Sequence, residues 1–409
     1  MIHRRLRRLS LLFAALLLLQ PAGVAIGHHG GRPVGSLFVC ERPGVVPPRC
    51  TSVANDLEHG VFLDSTLTDG LADALRRSMA EDYDPTDLRV FESTELTEAT
   101  DVIASSQDYG DLGAAAWVYC PGDAPQAFNS EGDRWCRMQE LRFNLDARYA
   151  IFFDDDGSRD HVACHELGHT IGLLHWGNPP ASVGPPAATC MNADTPNGPT
   201  GLHQIDIDHI NAYHYVAPPP SRRLELVRGP AEDGGPMGDG EVLAMQVERH
   251  GSLAELTRAS AAVVHATVLD VRPGRVFGDP SRDPLHYAAV SLRMDELMAG
   301  SLPALSSAPL TLEVPLFDGP DAIADLRASL VDLRGVFFLR SKGASARAAG
   351  LSGAEQHADA PFHRLVVFGA MVIDDEGTAA AGADEGGALA PLDGVPFADA
   401  VERIRRAEP

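Results

Sequence analysis

Lysine is almost missing from this chain: of its 33 basic residues only Lys342 is one, and the rest are arginines. That bias reads as the codon usage of a GC-rich genome and carries no function of its own. Positive charge of any kind is scarce, with 57 acidic residues and a formal net charge of −24. A protein that grips phosphates needs a basic face, so nucleic acid is excluded as a partner. Long apolar runs are lacking too. Beyond residue 27 none approaches the ~18 residues that cross a bilayer, so no membrane span is expected in the mature chain. What is present, 44% hydrophobic and 22% charged residues, suits a folded globular chain rather than a disordered or fibrous one. The 409 residues exceed one ordinary domain and fit two.

The first 27 residues are read as a signal peptide. Arg4, Arg5, Arg7 and Arg8 precede an apolar stretch from Leu9 to Leu19, which Gln20 and Pro21 end. That stretch suits the hydrophobic region of a leader and is too short to span a membrane, and the small residues Ala25 and Gly27 place cleavage after Gly27. The expected location is secreted or extracellular, with the periplasm or cell surface as variants. Disulfides persist in such compartments. All six cysteines, Cys40, Cys50, Cys120, Cys136, Cys164 and Cys190, lie beyond the leader. They admit 15 pairings. Joining nearest neighbours is the simplest, and each closed loop would add a few kcal/mol.

The run Ala217-Pro218-Pro219-Pro220-Ser221 is a stiff break, and the Gly/Pro/Asp-rich stretch 229–240 extends it. The expected organisation is a signal peptide (1–27), an N-terminal segment (28–50), a first domain (51–217), a linker (218–240) and a C-terminal domain (241–409). In the first domain Leu67, Leu71, Leu75 and Met79 recur every four residues, which predicts an amphipathic helix over 67–83. Short strands are expected at 90–91, 101–105, 114–119, 138–145 and 150–153, and helices at 160–174 and 206–215. The C-terminal domain reads as mostly strand, at 261–271, 287–294, 309–316, 335–340 and 364–374, with a closing helix at 397–406. Five strands with irregular loops suit a small barrel of OB-like or netrin-like type.

The chemistry concentrates in residues 165–176, HELGHTIGLLHW. His165 and His169, four apart, share one helical face and can hold one metal ion. Glu166 sits about 100° around the helix, within reach of a metal-bound water without being a ligand. Gly172 can end the helix at positive φ, after which the chain returns with His175 as third ligand. Three protein ligands leave a fourth position for water, the arrangement of a catalytic Zn²⁺ site. Zinc would make hydroxide available near neutral pH, and Glu166 would act as general base, giving amide hydrolysis without a covalent intermediate.

H-E-x-x-H-x-x-G-x-x-H is the metzincin signature, and Met191 within Thr189-Cys190-Met191-Asn192 resembles the Met-turn of that family. The resemblance covers about residues 51–217 and is closest to matrixin-type bacterial peptidases. Astacins and adamalysins carry an acidic residue after the third histidine, where this chain has Trp176. Snapalysins use aspartate as the third ligand, where this chain has His175. The resemblance implies an α+β fold, a mixed twisted sheet with an active-site helix, followed here by the β-rich domain. It implies one catalytic zinc on His165, His169 and His175, with Met191 as an apolar floor beneath it. It also implies a zinc metalloendopeptidase acting on protein or peptide substrates. If the active-site helix and the Met-turn adjoin, a Cys164–Cys190 bridge would join them. Pro48-Arg49-Cys50 is reminiscent of the matrixin cysteine switch, but Thr51 stands where that motif has glycine and Cys40 lies nearby, so a Cys40–Cys50 bridge is the preferred reading and the switch the alternative.

The run Asp154-Asp155-Asp156-Gly157-Ser158-Arg159-Asp160 could bind Ca²⁺ or form a solvated turn before the helix. His161, His203, His209 and His214 are read as surface or packing residues, with His203 nearest the pocket. Residues 192–203 are expected to line the substrate site. The competing function is a zinc-containing extracellular adhesion protein with a vestigial peptidase site; Glu166, which such a module has no reason to keep, separates the two. The C-terminal domain could inhibit or target the enzyme, an idea resting on fold analogy. The acidity is uneven: 28–217 carry 11 basic and 29 acidic residues, and 218–409 carry 18 and 28.

Overall fold

The computed structural model describes residues 57–407 except 98, 121–125, 129–133, 137, 174, 176–187, 193–197, 214–240, 248–249, 282–283, 303–308, 318, 368 and 383–386. The expected leader, the residues around Cys40 and Cys50, and the proline-rich linker lie outside this range. The fold is mixed α and β, with two main sheets. The chain divides into two compact units: residues 28–108 with 114–246, and residues 247–409 with the five residues Tyr109–Gly113.

The N-terminal unit begins with β1 (Glu58–Leu63), α1 (Asp69–Glu81), β2 (Arg89–Ser93), β3 (Val102–Gln107) and β4 (Ala114–Cys120). A small ribbon of β5 (Gln126–Phe128) and β6 (Arg134–Cys136) follows, then β7 (Gln139–Asn144). The unit ends with α2 (Asp156–Thr170), α3 (Gln204–Tyr213) and β8 (Glu241–Val247). The sheet runs in the order β2-β1-β3-β7-β4-β8. β2, β1, β3 and β7 are parallel to their neighbours, and β4 is antiparallel to β7. Alternation along β3, β7 and β4 sends Val102, Ala104, Leu141, Phe143, Ala116 and Val118 into one buried cluster with Leu71, Leu75, Leu167 and Ile171. That cluster is where α1 and α2 seat against the sheet.

The four-residue leucine spacing does give a helix: α1 buries Leu71, Leu75 and Met79, and Thr68 caps its start by accepting the Leu71 N–H. Three expectations change. Residues 150–152 are not strand but the end of a 3₁₀ turn, Ala147–Phe152, which Asp146 caps by accepting the Arg148 N–H and which Phe153 follows. The acidic run starts the histidine-bearing helix α2 earlier than its periodicity suggests. Asp155 is its N-cap, accepting from the backbone and the hydroxyl of Ser158 at 2.9 Å each, and Asp160 lies inside the helix, paired with Arg77 at 2.6 Å. Residues 241–247, assigned from sequence to the second domain, pair instead with β4 and so close the otherwise open edge of the first sheet.

The C-terminal unit contains α4 (Leu253–Ala259), β9 (Ala262–Phe277), β10 (Leu285–Gly300), β11 (Leu310–Leu316), α5 (Ala322–Leu330) and β12 (Arg334–Ser341). After them come α6 (Lys342–Ala348), α7 (Gly353–Asp359), β13 (Phe362–Leu365), β14 (Met371–Asp375), β15 (Thr378–Ala381) and α8 (Phe397–Arg406). β9 pairs with β10, β10 with β11, β11 with β13, β13 with β12, and β12 with β9. These five strands therefore close into a ring, in which the β11–β13 pair alone is parallel. β14 and β15 extend from β12. The expected strand at 364–374 is thus two strands, separated by a turn in which Gly369 adopts φ +75°.

One buried cluster is formed by alternate residues such as Val264, Ala266, Val290, Leu312, Phe337 and Leu339. A second gathers the opposite set, Val263, Val336, Phe338 and Val372, against α8. α8 spans the residues its sequence predicts, burying Phe397, Ala400, Val401 and Ile404 at positions i, i+3, i+4 and i+7. The sole lysine is fully buried here: Lys342 Nζ lies 2.8 Å from the buried Glu313, which Arg275 also grips. Among the described residues no helix is long and apolar enough to cross a membrane.

Candidate metal centre

α2 carries His165 and His169 one turn apart, with ring centroids 4.5 Å from each other. The helix then stops. Gly172 has φ +92°, its N–H donates to the His169 carbonyl at 3.0 Å, and the Leu173 N–H donates to the Gly168 carbonyl at 2.9 Å. This crossed pair of bonds is the usual device for ending a helix on a left-handed residue. The chain reverses and returns His175 to the helix. The three Nε2 atoms then stand 2.9 Å (165–169), 3.1 Å (169–175) and 2.9 Å (165–175) apart. Among the described residues these are the three metal-ligating side chains that converge.

Two of the rings have their protons fixed. His165 Nδ1 lies 2.7 Å from the Cys190 carbonyl, and His169 Nδ1 lies 2.7 Å from the Leu173 carbonyl. A carbonyl only accepts, so in both rings Nδ1 holds the hydrogen, which in the neutral form leaves the lone pair on Nε2. Burial, followed by the neighbouring His169 and His175, holds the His165 imidazole well below its ordinary value, in the neutral form that ligates. Lone pairs facing one another at this distance repel unless a cation lies among them. A tetrahedral ion with bonds of about 2.0–2.1 Å spaces its nitrogens by about 3.3–3.4 Å. The observed spacings are a few tenths of an ångström shorter than that, and three converging imidazole nitrogens are the donor type that divalent transition ions favour. Glu166, the next residue along α2, is fully buried.

The turn Thr189–Asn192 packs under this helix. It is closed by the Asn192 N–H donating to the Thr189 carbonyl at 3.2 Å. Met191 is fully buried, and a Cβ placed on Gly168 would collide with its Sδ and stand 3.0 Å from its Cε. The absence of a side chain at 168 is what lets the Met191 thioether reach the helix backbone between His165 and His169. Cys190 is held from three sides: a disulfide to Cys164 with Cα atoms 5.9 Å apart, its N–H on the Gly201 carbonyl at 2.8 Å, and its own carbonyl on His165.

Sequence reasoning anticipates the triad, Glu166, Gly172, Met191 and the 164–190 bridge, and the fold brings all of them together. Cys40 and Cys50 lie outside the described residues. Cys120 and Cys136 fall in β4 and β6, and their side chains are likewise outside. The acidic run 154–160 gathers around no common point among the described residues. His161 is buried on the ligand face of α2, its ring centroid 5.9 Å from that of His165 and its Nδ1 donating to the Pro199 carbonyl at 2.7 Å. His203 is half-buried beside this segment; the side chain of His209 and all of His214 lie outside the description.

Two supporting residues escape a sequence reading. Asp206, fully buried, accepts from the Thr189 hydroxyl and from the His203 N–H at 3.0 Å, and Thr189 in turn accepts the Met191 N–H at 3.2 Å. Tyr83 donates from its hydroxyl to the Cys164 carbonyl at 2.9 Å. Both act across more than 15 residues of sequence; an acid in a first helical turn and a tyrosine after a helix signal nothing of the kind.

The chain thus carries a mixed α/β scaffold and, on it, three histidines that could hold a metal ion beside a buried glutamate. Compared with protein families and with curated proteins, it matches none.

Proposed function

We propose that this chain is a secreted zinc-dependent endopeptidase of metzincin type, related to the matrixin-like bacterial peptidases. The observation that carries the proposal is the convergence of three Nε2 atoms, two of them with their tautomers fixed, next to Glu166 in the sequence order H-E-x-x-H-x-x-G-x-x-H. Imidazole donors favour zinc over calcium or magnesium. The fold supports the same reading: a mixed sheet, an active-site helix ended at a glycine, and a methionine turn beneath it. Five strands paired in a closed ring support the companion reading of the C-terminal unit as a small OB-like barrel.

Zinc bound there would supply a Lewis acid for a water molecule and for the scissile carbonyl. The chain's own residues do the rest. His165, His169 and His175 would hold the ion through their converging Nε2 atoms. Glu166, buried on the same helix, takes the proton from the attacking water and passes it to the departing amine. Export is supported by the arginine-then-leucine leader in the sequence and by the Cys164–Cys190 disulfide.

The test is Glu166→Gln in the mature protein. Zinc content should stay at parent level, while cleavage of a denatured protein substrate falls by about 10²–10⁴-fold, the usual contribution of a general base. A variant that cleaves at the parent rate refutes the mechanism.

A further inference from the structure

Cys164 immediately precedes His165, and Cys190 is the residue whose carbonyl accepts the His165 Nδ1–H at 2.7 Å. The bond between the two cysteines therefore closes a ring. It runs from the His165 imidazole through a hydrogen bond to Cys190, across the disulfide to Cys164, and back over one peptide bond to His165. His169 is oriented locally, its Nδ1 donating to the Leu173 carbonyl four residues on. Both cysteines are fully buried.

We propose that the Cys164–Cys190 bond is a positioning element of the metal site. It keeps the acceptor carbonyl against His165, so that the ring holds its tautomer and presents Nε2 toward the other two. Opening it lowers metal affinity without dissolving the fold, because the turn stays attached through Cys190 N–H to Gly201 and through Thr189 to Asp206. The inference rests on the metal-site reading above. Partners that orient ligating histidines are typically worth 10–100-fold in metal affinity, and that is the effect expected here.

The experiment compares the full mature chain with Cys164→Ala/Cys190→Ala. Alanine is used because released thiols would themselves ligate metal. Zinc dissociation constants come from competition with a chromophoric chelator, and ligand geometry from the visible spectrum after Co²⁺ loading. Folding is followed by far-UV circular dichroism at 25 °C. The expected result is a dissociation constant raised 10–100-fold and an altered cobalt spectrum with unchanged dichroism. Equal constants and superimposable cobalt spectra overturn the proposal. If the double variant does not fold, the comparison is repeated with Cys164→Val/Cys190→Ala, which refills part of the volume of the two buried sulfurs without leaving a thiol. A dissociation constant raised 10–100-fold with dichroism held supports the proposal, and a parent-like constant overturns it. A parent that binds no zinc overturns the metal reading and this inference together.

Discussion

Gly168→Ala sets two effects of opposite sign against each other. Gly168 lies inside α2, where replacing glycine by alanine stabilises a helix by about 1 kcal/mol. The added methyl, however, would collide with Met191 Sδ, stand 3.0 Å from Cε and 3.2 Å from Tyr83 Oη. Met191 is fully buried and its turn is tied to Cys164, Gly201 and Asp206, so the thioether has little freedom to step aside. Overpacking of this kind costs about 1–3 kcal/mol. The net expectation is a loss of about 0–2 kcal/mol, together with weaker zinc binding as the turn carrying Cys190 shifts. Met191→Ala alone should cost about 2–5 kcal/mol through the cavity it leaves. In that background only the Tyr83 hydroxyl, 3.2 Å away, still crowds the methyl, and Gly168→Ala should be less costly than in the parent or stabilising by up to about 1 kcal/mol. Chemical unfolding of the four chelator-treated proteins gives the double-mutant cycle. Gly168→Ala stabilising the parent as much as it stabilises Met191→Ala would refute the packing of Met191 against the helix.

Burial pushes the His59 imidazole down to about 4 from 6.5, and its ring shares a hydrogen bond with Thr170 at 2.9 Å. The unfolded chain then takes up this proton first. Stability should be complete above about pH 6.5 and fall by about 3 kcal/mol as pH drops toward 4. His59→Gln should flatten that stretch of the urea-stability profile, and an unchanged profile would contradict the assignment. In the C-terminal unit, burial pushes the Glu313 carboxyl up, but Arg275 and Lys342 outweigh it and hold it below the ordinary carboxylate range. Glu313→Leu strands the buried Lys342 ammonium and should cost about 3–5 kcal/mol, while adding Lys342→Met should recover much of that. Guanidinium unfolding measures both, and a single variant within about 1 kcal/mol of the parent would show that the pair carries little.

The candidate site was legible because its chemistry is local. The spacing of His165, His169 and His175 and the glycine at 172 lie within eleven residues, where helical period and one positive φ decide the geometry. α1 and α8 were legible for the same reason, since their apolar positions repeat at the helical period. What failed depends on distant partners. Residues 241–247 have the composition of any strand, and only the open edge of β4 tells where they pair. Residues 150–152 look like strand by composition, but they end a 3₁₀ turn that Asp146 caps. The role of Asp206 depends on a turn that reaches it only in the folded chain.

Whether His165, His169 and His175 hold a catalytic zinc served by Glu166 is decided by measuring zinc content and cleavage of a peptide library on the same preparations of the parent, His169→Ala and Glu166→Gln. About one zinc per parent chain is expected, with cleavage that a chelator abolishes, loss of both in His169→Ala, and zinc without cleavage in Glu166→Gln. A parent that binds no zinc, or Glu166→Gln cleaving as fast as the parent, would contradict that expectation.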